Sequence, residues 1–228
     1  MIMVEEKITK NAMSVNKTKK SKVKIFYGFD PLCGWCYGFS DELKKITDEF
    51  KQNIDFELVN GGLFSGVRGP KMEYMSAHIK RNMEYVTDRS GKKFGPNFVK
   101  LLDVPEYPYD SMKASIAIEV MKDMNSNKVF DFASDIQTAF FYEGKDIHIN
   151  ETFHEIVSGY AIDQILFLKK LDTSLYQLKV EKEFQRAQKL GFSGYPACKI
   201  KIGEKVQSLT HGYISSNEFK ILIQKILN

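Results

Sequence analysis

Cysteine is scarce in this sequence, with three in 228 residues. So small and odd a number cannot form a complete disulfide framework, which excludes the small disulfide-stapled secreted scaffolds. Long apolar runs are missing too. No stretch approaches the ~20 residues of a membrane span, and the opening MIMVEEKITKNAMSVNKTKKSK lacks the apolar run of a signal peptide. A soluble, cytoplasmic protein that works without a membrane is expected. Nor does one sign of charge dominate: the net charge is +4, with 33 basic residues spread among 29 acidic ones. The densest basic cluster, Lys17 to Lys24, closes a polar tail over residues 1–22. That tail is expected to be disordered and solvated, with no nucleic-acid partner. No fixed-period repeat is visible, so a solenoid is unsupported. What is present, 43% hydrophobic residues, suffices for one buried core, with or without a large insertion.

The pattern changes at Val23, where VKIFYGF is a β-branched and aromatic run suited to a central strand buried on both faces. Phe39, Leu43, Ile46 and Phe50 then fall on one helical stripe. Ile54, Phe56 and Leu58 alternate with Asp55, Glu57 and Val59 as in an edge strand, and Asn60-Gly61-Gly62 ends it in a turn. From Arg68 to Leu190 the reading is helical almost throughout. Stripes run through Met72, Met75, Ile79, Met83 and Val86, through Met112, Ile116, Val120 and Met124, and through Val129, Phe132, Ala133, Ile136 and Phe140. Shorter helices are expected near Phe153 to Val157 and Ile162 to Leu171, with a long one from Ser174 to Leu190. The β pattern returns in Ala197 to Ile202 and Lys205 to Leu209 around Gly203-Glu204, a hairpin signal. Ser215 and Glu218 form a capping box ahead of Phe219, Leu222, Ile223 and Ile226. The class is α/β. If the outer pieces make one sheet, the helical block is an insertion.

Between the first strand and first helix lies DPLCGWCY. A Cys-x-x-Cys pair suits zinc binding, a structural staple or redox chemistry. At a helix start the two Cβ atoms lie ~5 to 6 Å apart, and a flexible first turn can close them to the ~3.8 Å of a disulfide. Helix N-termini favour a thiolate, and reactive cysteines in such settings have pKa values of ~3.5 to 7.5. Cys33, nearest the helix start, would be the nucleophile, and Cys36 would resolve the mixed disulfide.

The order of strand, CGWC, helix, strand, long helical block, then GFSGYP, hairpin and helix resembles the DsbA family of the thioredoxin fold. The match is to the cytoplasmic protein-disulfide-isomerase branch with a D-P-x-C-x-W-C-x-G signature, carried here by Asp30, Pro31, Cys33, Trp35, Cys36 and Gly38. The likeness covers roughly residues 23–228. It implies a thioredoxin fold whose amino-terminal half spans 23–65, an all-helical insertion domain over 66–190, and a carboxy-terminal half over 191–228. It also implies that Pro196 is a cis residue packed against the catalytic pair Cys33 and Cys36, with Gly34, Trp35 and Tyr195 meeting substrate. No cofactor or metal is called for, only a protein or small-molecule thiol or disulfide and a redox partner such as the thioredoxin or glutathione system.

Two departures stand out. Many thioredoxin-fold enzymes carry a buried carboxylate six residues before the first cysteine, where this sequence has Tyr27. Trp35 replaces the His found inside the motif of strongly oxidising relatives, so a less oxidising couple is expected.

Rival readings remain. His148 and His154 have a spacing zinc tolerates, but they lie far along the chain from the cysteines. Cys198 reads as a buried packing residue. His78 and His211 have no partner at short spacing and read as structural or solvent-facing. The Met stripe and Phe140-Phe141-Tyr142 read as core, and Asp30 as a residue of the turn. Trp35 is expected to be exposed toward substrate, whereas Tyr195 divides between packing and substrate contact. Two other functions fit the resemblance: a glutathione-dependent transferase or isomerase of the kappa class, and an adaptor whose thiols act as a switch.

Overall fold

Val23–Phe29 forms strand β1, buried from Ile25 onward, at the centre of a four-stranded sheet. The computed structural model describes residues 23–66 and 69–227. The tail expected over 1–22 lies outside the described residues. β1 pairs in parallel with β2 (Ile54–Asn60) and antiparallel with β3 (Ala197–Ile202). The hairpin partner of β3 is β4 (Lys205–His211), giving the order β2-β1-β3-β4. Flanked on both sides and covered on both faces, β1 needs the continuous apolar run it has. Gly203 turns the hairpin with φ 59°, as a primed turn requires.

A parallel pair needs a crossover, and helix α1 (Gly34–Phe50) supplies it, burying Phe39, Leu43, Ile46 and Phe50. The expected capping box opens α9 (Ser216–Leu227): Ser215 N–H donates to Glu218 Oε2 at 3.0 Å, and Glu218 N–H to Ser215 Oγ at 3.3 Å. Between β2 and β3 run α2 (Met72–Ser90), α3 (Pro96–Leu101), α4 (Met112–Asn125), α5 (Val129–Phe141), α6 (Asn150–Val157), α7 (Gln164–Leu171) and α8 (Ser174–Lys189).

The block is less continuously helical than expected, because residues 102–111 and 142–149 are turns and extended chain. Pro105 and Pro108 bring no N–H to the first of these, and Gly144 adopts φ 68° in the second. α4 also differs: not one stripe but every residue from Ala114 to Met121 is buried. It packs against α5, α7 and α8 together, so no face is left for solvent.

The sheet separates two cores. Ile25, Tyr27 and Phe29 point to the larger one, shared with α1, α4, α5 and α9. Phe26 points the other way, to a small cluster of Val59, Ala187, Phe192 and Ala197 under α8. The dithiol motif sits at the carboxyl end of β1, at the edge of the larger core.

Candidate active site

Asp30 sets the turn that carries the chain from β1 into α1. Its backbone C=O accepts from Cys33 N–H at 3.1 Å, and its carboxylate accepts from Leu32 N–H at 2.9 Å. The same carboxylate accepts from Leu63 N–H at 2.7 Å and Ser111 Oγ at 3.0 Å. So Asp30 serves the turn, as expected, and also ties it to the loop after β2 and to the start of α4. Burial pushes its carboxyl above the usual range, against these donors, which pull it down.

This turn leaves Cys33 as the N-cap of α1, in extended backbone (φ −79°, ψ 109°), with its C=O accepting from Tyr37 N–H at 3.0 Å. No acidic residue lies in the first turn of the helix. Gln137 of α5 holds the same segment from behind, donating from Nε2 to the carbonyls of Pro31 and Cys33 at 3.4 Å each. Across the site the Tyr195-Pro196 peptide bond is cis. Cys33 Sγ donates to the Tyr195 carbonyl at 3.4 Å, bringing together segments 162 positions apart.

The two sulfurs sit at different depths. Cys33 keeps 5% of its surface exposed, whereas Cys36, one turn into the helix, has 0%. Burial first, and then its neighbour Cys33, push the Cys36 thiol well above its ordinary value. Cys198 is also fully buried. It pairs with Tyr27 across β1 and β3, and burial pushes its thiol up to about 12. It is the packing residue its strand position suggested.

An apolar groove of about 150 Å³ borders Cys33, with Gly34, Trp35 and Tyr195 in its wall. Trp35 is half-buried instead of open to solvent, packed beside Tyr213 with ring centroids 6.4 Å apart. Tyr195 lines the groove, and its hydroxyl donates to the Gly61 carbonyl at 3.2 Å. A Cβ at Gly61 would stand 2.0 Å from the Tyr195 ring, so glycine is required for this approach.

Sequence reasoning missed several members of the site. Met75 and Met83 of the expected core stripe turn out to line the groove, and Met72, Ile79 and Val86 carry the burial. His78 and Asn82, one helical turn apart on α2, also line it, with Nε2 and Nδ2 3.0 Å apart. That i, i+4 spacing was the available signal. His148 is engaged elsewhere, its Nδ1 2.9 Å from Asp146 Oδ1 and its Nε2 3.1 Å from the Asp110 carbonyl. Among the described residues no group of three or more Cys, His, Asp or Glu is arranged to hold a metal.

Comparison with known proteins agrees with this architecture. A solved structure described as a "putative protein disulfide isomerase" from Nitrosomonas europaea matches with a TM-score of 0.79 at 22% identity, over 91% of this chain and 98% of that one. The cytosolic disulfide reductase DsbM from Pseudomonas aeruginosa matches with a TM-score of 0.75 at 19% identity, over 90% and 98%. DsbM was also solved with GSH. A 2-hydroxychromene-2-carboxylate isomerase shares the fold with a TM-score of 0.62 at 14% identity, over 89% and 94%. Comparison with curated proteins gave no match. The family model described as Thioredoxin matches residues 26–200, the span from β1 into β3 that builds both sides of the dithiol site, and the chain belongs to that thioredoxin family, with DsbA-like relatives in structure.

Proposed function

We propose that this protein exchanges thiols and disulfides through Cys33 and Cys36, reducing or rearranging disulfides in the cytoplasm. Cys33 occupies a helix N-cap, where unpaired N–H groups and the helix dipole attract negative charge. Its thiolate attacks a substrate disulfide R–S–S–R′, forming Cys33–S–S–R and releasing R′S⁻. The Cys36 thiolate then attacks the Cys33 sulfur, closing the Cys33–Cys36 disulfide and releasing RS⁻. Two electrons pass from the dithiol to the substrate, and the thioredoxin or glutathione system returns them.

The observation that carries this reading is the difference in depth of the two sulfurs. Cys33 borders the groove and the carbonyl before the cis-proline, while Cys36 waits fully buried one turn behind it. Pro196 brings no N–H to this contact. The groove wall is almost entirely apolar, with His78 its one titratable side chain apart from Cys33 and the tyrosines. It suits the apolar residues that flank a cysteine in an unfolded or extended peptide. Cytosolic action and glutathione as a partner draw support from the relative described as cytosolic and solved with GSH.

The test is a Cys36→Ala variant mixed with oxidised glutathione or with a disulfide-linked peptide bearing leucine beside its cysteine. The expected result is a stable adduct through Cys33, seen by intact mass and reversed by dithiothreitol. The adduct is absent from a Cys33→Ser, Cys36→Ala double variant. Failure to form any adduct with either probe would contradict the reading.

A further inference from the structure

The groove beside Cys33 is walled mainly by apolar side chains, and a polar pair on α2 interrupts them: His78 and Asn82, one helical turn apart. The Asn82 amide uses its two hydrogens inside the pair. Nδ2 donates to the His78 carbonyl at 2.9 Å and lies 3.0 Å from His78 Nε2. An amide nitrogen only donates, so Nε2 is the acceptor of that contact and the ring hydrogen sits on Nδ1.

Two groups are left over: a donor, His78 Nδ1–H, and an acceptor, Asn82 Oδ1. Neither has a partner among the described residues, with His78 exposed and Asn82 half-buried. A donor beside an acceptor is the complement of a peptide backbone, whose every residue but proline offers one N–H and one C=O. Met75 and Met83 line the groove from the same helix, and their flexible side chains can re-pack around different apolar neighbours of a cysteine. The polar pair reads what all such sequences share. Glutathione fits this wall less well, because its carboxylates call for a cation and the lining holds no lysine or arginine. The groove is also small. At about 150 Å³ it falls below the ~300 Å³ at which pockets for whole small molecules begin, so it takes a side chain and its adjoining backbone.

We propose that His78 and Asn82 are specificity-determining residues that select polypeptide disulfides by reading the backbone beside the substrate cysteine. His78 Nδ1–H donates to a carbonyl of that segment, and Asn82 Oδ1 accepts from one of its N–H groups. The inference rests on the exchange function above and names its preferred substrate class as an extended polypeptide, ahead of glutathione disulfide. Selection then depends on the chain beside the disulfide and not on one particular residue.

The experiment measures how fast adducts form through Cys33 in a Cys36→Ala background, by acid quench and intact mass, with two probes: oxidised glutathione and a disulfide-linked peptide bearing leucine beside its cysteine. His78→Phe removes the donor, and Asn82→Leu removes the acceptor. Each is expected to lower the ratio of the peptide rate to the glutathione rate by roughly 2- to 10-fold, the loss of one hydrogen bond. Methylating the backbone nitrogens that flank the peptide's cysteine, one at a time, tests the contact without altering the protein. At one position the methyl group slows reaction with the Asn82 protein by a similar factor and has no further effect on Asn82→Leu, the non-additivity of a direct contact. An unchanged ratio in either variant, or methylation effects that add in full to Asn82→Leu at every position, overturn the proposal and leave the exchange function standing. Absence of any adduct with either probe removes both.

Discussion

Asp30 shows how one side chain can set a site without touching substrate. Its two oxygens collect four donors from three segments, and only the local one, Leu32 N–H, belongs to the turn that its place in DPLC suggested. Asp30→Asn removes a buried charge yet places an NH₂ group where a donor already points. We expect a loss of about 1 to 3 kcal/mol in folding free energy from denaturant titration, the cost of opposing donors in a buried site. An unchanged or raised midpoint would contradict this role. At this scale the motif itself was legible: Cys33, Trp35 and Cys36 are adjacent, and their spacing carries the chemistry. Gln137 was not legible as a member of the site. It reaches the dithiol turn from α5, through contacts that local sequence does not encode.

Elements followed the periodicity where one face meets one partner, as in α1 and α9, and departed from it where several partners meet, as in α4. What joins the inserted helices to the sheet could not be read from stripes, because it is polar. Asn60 at the end of β2 donates to Glu119 of α4 at 2.7 Å. Lys122 bridges Glu119 at 2.7 Å and Glu183 of α8 at 3.0 Å. Arg186 continues the chain to Glu57 of β2 at 2.5 Å. Burial pushes the Glu119 carboxyl up, and Lys122 is the main group holding it down. Lys122→Met leaves two buried carboxylates without their shared cation, and we expect a loss of about 3 kcal/mol. The sign with pH follows. A carboxyl whose folded pKa lies above its unfolded value binds more protons in the folded state, so stability falls as pH rises through the interval above the ordinary carboxylate value of ~4.3. The deficit of the variant is therefore larger at pH 8 than at pH 5 in chemical denaturation, and equal deficits would contradict the bridge.

At the scale of the whole molecule, the fold brings together a helix N-terminus and a cis-proline loop that the chain separates by more than 160 positions. The order of strands and helices made that architecture legible, because the β-α-β start and β-β-α end each have their own turn and capping signals. The groove was not, since it forms between α2, α5 and the dithiol turn only once the inserted helices have docked. The resulting site holds two buried cysteines, Cys33 with a small exposed remainder beside the groove and Cys36 with none, and half-buried Trp35, not a cation, between them. The measurement that bears most directly on this account is the reduction potential of the Cys33–Cys36 couple, from equilibration in glutathione buffers followed by alkylation and intact mass. We predict a single two-electron transition that forms a Cys33–Cys36 disulfide, with a midpoint well below the ~−120 mV of DsbA. A protein that forms no Cys33–Cys36 disulfide at any ratio of oxidised to reduced glutathione, or one with a midpoint at or above that of DsbA, would contradict it.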